Sequence, residues 1–148
     1  MTIELYKNSL ISMEDALLYF QERYGSQKWF ELGEDEQEQL LITASRKINR
    51  FDFVGEKAEE SQPMEFPRNY DTPQDIKDAV CEEAIAVAQN TGSVHDENKK
   101  AGITSISLGS GSITYGDSSL NQEDSQLFSA EALYLVKKWV KKGYNFGG

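Results

Sequence analysis

The side chains able to do chemistry are few and scattered. The one histidine, His95, stands in "GSVHDENKK" with no second histidine or cysteine nearby. A zinc site therefore lacks its donors, and a Ser-His-Asp arrangement would be coincidence; a solvated loop histidine is the better reading. The one cysteine, Cys81, sits among Ile76, Ala79, Val80, Ala84 and Ile85. That pattern predicts a small buried apolar residue in a reducing compartment, not a reactive thiol. "GSGSIT" is glycine-rich, but a dinucleotide fingerprint needs glycine where Thr114 stands, and no Gly-Lys-Ser/Thr follows for a phosphate loop. The acidic pairs Glu59-Glu60 and Glu82-Glu83 are adjacent rather than facing, as exposed acids are in an acidic chain. No active site is expected, and no metal or cofactor.

With catalysis set aside, charge is the next guide. The 148 residues suit one domain, large enough for a core without disulfides, and carry a net charge of -10. As a whole, the chain would be repelled by a phosphate backbone. The charge is uneven, however. Residues 129 to 148 hold Lys137, Lys138, Lys141 and Lys142 against Glu131 alone, a net of +3 that leaves -13 on the rest. "MTIELYKNSL" has no apolar run of a signal peptide, and no stretch is apolar enough to span a bilayer. A soluble protein made in a cytoplasm, with no membrane partner, is expected.

The elements that would position these groups are mainly helical. "ISMEDALLYFQERYG" offers Ser12 as N-cap, acids in the first turn, a stripe of Met13, Ala16, Leu17, Phe20 and Tyr24, and Gly25 as stop. A second helix is predicted from Glu34 to Asn49 on the spacing of Leu40, Leu41, Ala44 and Ile48, with Trp29 and Phe30 plugging its base. A third runs from Pro73 to about Thr91-Gly92, with Thr72 as N-cap and Asp75 at the capping-box position. All three prolines, Pro63, Pro67 and Pro73, fall in "SQPMEFPRNYDTPQD", which reads as an extended strap feeding that helix.

Beyond Gly92 the composition turns to Gly, Ser, Asn and Asp. Within it, Ile103, Ser105 and Ser107, then Ile113 and Tyr115 after a Gly-Ser turn, predict a β-hairpin able to pair with a neighbouring subunit; a loose surface loop is the alternative. The last helix, "SAEALYLVKKWVKKGY", places Ala132, Leu133, Leu135, Val136, Trp139 and Val140 on one half of the wheel and the four lysines on the other. An acidic linker separates it from the other helices, which favours docking in a partner's groove over closing its own core; lying on an anionic membrane or nucleic acid is the third reading. The organisation expected is a helical core (1–91), a hairpin and linker (92–128), and a C-terminal helix and tail (129–148): a small helical bundle with a protruding β-hairpin and a C-terminal amphipathic helix.

Trp29, then "EQLLITASRKINRFDFVGEK", "QPMEFPR" and "TPQDIKDAVCEEAIAVA" follow in an order that resembles the head-tail connector, or adaptor, proteins of tailed bacteriophages. Leu41 to Ser45 match that family's first helix motif, Phe53 and Gly55 its end, Gln62, Pro63, Phe66, Pro67 and Arg68 its strap, and Pro73, Ile76, Lys77, Ala79, Glu83 and Ala84 the next helix. Phe66 stands where tryptophan is usual, and Ser45 where threonine is. The resemblance implies a structural virion protein at the head-tail interface. It would form a ring, typically dodecameric, that joins the portal protein to the next tail component, completes the head in genome packaging, and lets DNA pass through its channel without specific binding.

In that reading Leu133, Val136, Lys137, Lys138, Trp139, Val140, Lys141, Lys142 and Tyr144 dock on the portal; Ile103, Ser105, Ser107, Ile113 and Tyr115 pair subunits; and Trp29 with the strap residues Gln62, Pro63, Phe66, Pro67, Arg68 and Pro73 fix the helices. The alternative is a primosomal-like single-stranded-DNA-binding phage protein. Its lysine-rich helix speaks for it, while the acidic balance and the lack of aromatics interleaved with basic residues on one surface speak against it.

Overall fold

A computed structural model describes residues 2–100 and 127–141, with side chains through residue 90 in the first stretch. Five helices make up the described regular structure: α1 (Met13–Glu22), α2 (Gln27–Glu31), α3 (Glu34–Ile48), α4 (Gln74–Lys100) and α5 (Ala130–Lys137). None of them is long and apolar enough to cross a membrane. No strand occurs among the described residues, only isolated bridges. The expected hairpin at Ile103 to Tyr115 lies outside them.

Local chemistry explains the boundaries. Ser12 caps α1, its hydroxyl accepting the Asp15 N–H at 3.1 Å. The helix stops at Glu22, so Tyr24 falls past its end and is fully exposed, and Leu17 also faces solvent; only Ala16 and Phe20 of the expected stripe are buried. Trp29, on the short α2, stacks on Phe20 with centroids 4.3 Å apart, whereas Phe30 points outward. α3 is anchored at its start by Glu36, whose carboxylate accepts the Gly33 N–H at 3.3 Å. Thr72 does not cap α4: its hydroxyl bonds Tyr6 Oη at 2.8 Å, and the Pro73 carbonyl accepts the first helical N–H groups. α4 also runs past Gly92 to Lys100, placing His95 on a helix, because a single glycine costs a helix only about 1 kcal/mol and does not end it.

Between α3 and α4 the strap is a compact irregular unit, not an extended one, and includes a cis Phe66–Pro67 bond. Phe66 is fully buried and meets Phe53 edge-on at 4.7 Å. Arg68, also buried, donates to the carbonyls of Val54 (2.8 Å), Gly55 (2.7 Å) and Glu65 (3.0 Å) and to the Glu65 carboxylate (2.8 Å). One guanidinium thus satisfies three carbonyls that no ladder would reach. Gln62 donates to the Met64 and Pro67 carbonyls at 2.9 and 2.8 Å. Gly55 holds φ +79°, and a Cβ there would come within 2.6 Å of Tyr70, so glycine is required at this crossing.

Candidate nucleic-acid interface

The C-terminal helix packs on the chain's own body. α5 lies antiparallel along α4, and Ala132, Leu133, Leu135 and Val136 enter the same core as Ile76, Ala79 and Val80. Its start is fastened by Glu83 on α4, whose fully buried carboxylate accepts the Phe128 and Ser129 N–H groups at 2.9 Å and an ion pair from Lys47 of α3 at 2.5 Å. The Lys47 ammonium also covers the Phe128 ring at 4.1 Å. At the other end Val54 N–H donates to the Trp139 carbonyl at 2.8 Å and Lys141 N–H to the Asp52 carbonyl at 2.9 Å. Trp139 stacks on Tyr70 at 5.3 Å and donates its indole N–H to Asp75 at 3.2 Å. The expectation that Leu133, Val136 and Val140 dock on another protein is therefore corrected: this chain's own core buries them, because the acidic linker does not prevent α5 from returning to α4.

What α5 presents outward is different. Tyr134 is 57% exposed, and Lys137 in the last turn, Lys138 at the C-cap and Lys141 just past the helix are exposed as well. Tyr134 stands three and four positions before Lys137 and Lys138, the spacing that makes helix neighbours, and the Lys138 ammonium is 5.4 Å from the centre of its ring. Lys138 pairs with Asp75 at 3.4 Å, and Lys141 approaches Asp52 at 3.9 Å. An aromatic platform set among cations is thus carried on a helix tied at both ends. The lysines were visible in the sequence, and Tyr134 was the residue overlooked. Its signal was its place opposite the apolar arc. Lys142, Tyr144 and the hairpin residues Ile103, Ser105, Ser107, Ile113 and Tyr115 lie outside the described residues.

A second polar cluster, on the far side of α4, is structural. Glu82 receives a two-pronged ion pair from Arg23 at 2.7 and 3.2 Å and the hydroxyl of Tyr19. Burial, reinforced by Glu82, pushes the Tyr19 phenol well above its ordinary range, and the bond to Glu82 raises Arg23. Cys81 is buried beside them, and desolvation pushes its thiol well up, away from nucleophilic use. Among the described residues no three His, Cys, Asp or Glu side chains gather as a metal site.

A family model described as "Putative DnaT-like ssDNA binding protein" matches residues 2–147. The chain belongs to this DnaT-like family. No curated protein and no solved structure matches it. Membership overturns the connector reading, with its portal partner, its ring, its tail-side neighbour and its unbound DNA. The physical reason for the misreading lies in the residues that carried it. Trp29, Leu41, Ala44, Phe53, Phe66, Ile76, Ala79 and Ala84 are all buried, and Arg68 serves the strap's own carbonyls. Such residues specify packing, and packing alone does not fix function. The DnaT-like description agrees instead with the alternative that the sequence left open.

Proposed function

We propose that this protein binds single-stranded DNA along the outward face of α5. The observation that carries the reading is exposed Tyr134 with the Lys138 ammonium 5.4 Å from its ring centre at the C-terminal end of α5, where Lys137 and, just past the helix, Lys141 are also exposed. Such a face supplies both parts of sequence-tolerant strand binding: an aromatic ring on which a base stacks, contributing about 1 to 3 kcal/mol, and cations for the phosphates beside it. Membership of the DnaT-like family supports it independently. The platform takes an unpaired base, so single strands are preferred to duplex. The acidic body does not forbid the contact, because its field is screened within about 8 Å at physiological salt while the lysines touch the phosphates directly.

The test is fluorescence anisotropy with a labelled thymidine oligonucleotide of about 20 nucleotides, longer than a typical single-fold site. Each phosphate-bound lysine adds about -0.7 to the slope of log K against log salt, so four engaged lysines give roughly -3. Replacing Lys137, Lys138, Lys141 and Lys142 together by glutamine abolishes binding. Tyr134→Ala weakens it by about 5- to 150-fold with the salt slope retained. Binding indifferent to both changes refutes the reading.

A further inference from the structure

Lys138 is claimed from two sides, and one claimant is itself held firmly. The Asp75 Oδ2 atom that lies 3.4 Å from the Lys138 ammonium also accepts the indole N–H of Trp139 at 3.2 Å. Asp75 sits in the first turn of α4, where the helix dipole favours a carboxylate. The acid is therefore anchored, while the lysine, 47% exposed on a flexible stem, is the movable partner. Lys141 and Asp52, more than half exposed and 3.9 Å apart, repeat the arrangement loosely.

Resting on the strand-binding reading of α5, we infer that Asp75 is a specificity-determining residue, an internal stand-in for a phosphate that a bound strand displaces from Lys138. An isolated phosphate exchanges one anion for another at Lys138 and gains little. A strand engages Lys137, Lys138 and Lys141 together and stacks a base on Tyr134, so once one contact forms the others close at high effective concentration. Displacement leaves Asp75 still bonded to the indole, which keeps the exchange inexpensive. Asp75 thereby sets a threshold at Lys138 that a single phosphate contact does not overcome and several linked contacts do.

The experiment is a double-mutant cycle in the full chain: Asp75→Asn in the native and Lys138→Gln backgrounds, with Asp78→Asn as control. Asparagine at 75 keeps an acceptor for the indole. Asp78 lies on the same helix and bonds Gln74 instead of a lysine. In the native background Asp75→Asn tightens binding of the thymidine oligonucleotide by about two- to fivefold, the range reached by exposed ion pairs. In the Lys138→Gln background, and for Asp78→Asn, affinity changes by less than about 1.5-fold. The inference is overturned if Asp75→Asn leaves affinity unchanged, if the gain persists without Lys138, or if Asp78→Asn matches it, which would make the effect one of net charge. Loss of binding in the lysine variants with no response to Asp75→Asn sinks this inference alone. Binding indifferent to the lysines and to Tyr134 sinks the strand-binding reading and this inference with it.

Discussion

Glu83 is the most deeply buried charge among the described residues, and its removal separates two contributions that are usually confounded. Its Oε1 accepts the Phe128 and Ser129 N–H groups at 3.0 and 2.9 Å, while Oε2 holds Lys47 at 2.5 Å. Glu83→Ala strands both backbone donors, each costing about 1 to 3 kcal/mol when left unpaired. It also frees Lys47, whose side chain is 13% exposed and can turn toward water, so little is added on that account. The expected loss is about 4 kcal/mol, a large part of a stability of order 5 to 15 kcal/mol. Glu83→Gln keeps a carbonyl for the two N–H groups but turns an amide NH2 toward Lys47, and should cost about half as much. Lys47→Met leaves the fully buried carboxylate with its two N–H bonds but no counter-charge, and falls between, at about 3 kcal/mol. Urea denaturation followed by circular dichroism measures all three, with ΔΔG read from midpoints at constant m. Equal losses for Glu83→Gln and Glu83→Ala would place the whole effect in the ion pair and refute the capping argument. A loss below about 1 kcal/mol for Glu83→Ala would refute both.

Two further predictions concern the strap and the far side of α4. Phe66→Ala removes a fully buried ring packed on Phe53 and should cost about 3 to 5 kcal/mol, lowering Tm by roughly 6 to 20 °C; an unchanged melting curve would remove the strap from the core. The Tyr19 phenol, raised above its ordinary value of 10.0 by burial and then by Glu82, stays protonated in the folded chain where the unfolded chain has lost its proton. Its contribution is thus complete below pH 10.0 and is lost progressively as pH rises above it. Relative to Tyr19→Phe, native stability should fall by up to about 1.4 kcal/mol per pH unit in that window; parallel stability curves for the two proteins would contradict the burial of the phenol.

Helix positions were legible where the signal was local. Ser12 with Asp15, and the three-and-four spacing of Leu41, Ala44 and Ile48, give α1 and α3 within a residue or two of their observed limits. The sequence reading failed where a tertiary partner decided the outcome. Thr72 and Asp75 form a plausible cap by spacing, yet Tyr6 takes the hydroxyl and Trp139 with Lys138 takes the carboxylate. Nothing in one-dimensional spacing announces a residue 64 positions away. The apolar arc of α5 was likewise plain, but the wheel cannot tell an outside groove from the chain's own α4. Glu83 was the missing signal: an acid amid the apolar face of α4, waiting for the start of a helix. Tyr134 was legible as the one aromatic residue of α5 outside its apolar arc, three and four positions before Lys137 and Lys138.

The same ledger of charge changes meaning once the fold is known. Net charge sets long-range attraction, and here it opposes any polyanion. Contact affinity depends instead on which groups meet the ligand at a few ångströms, and Lys138 and Lys141 at the end of α5 are paired with Asp75 and Asp52. On the strand-binding proposal, a strand approaching this end of α5 meets lysines whose carboxylate partners it can replace, and Tyr134 rewards only a ligand that brings an unpaired base. Association should be slow for an acidic protein at low salt, where repulsion reaches farthest, while the bound state is itself weakened by high salt. The two dependences oppose one another, so the association rate rises with salt over the range in which equilibrium affinity falls, and the dissociation rate rises more steeply than either. Stopped-flow anisotropy resolves the two rates. An association rate that falls with salt, as it does for basic strand-binding surfaces, would mean that the lysines of α5 dominate the field at a distance and that the acidic body has no part in steering.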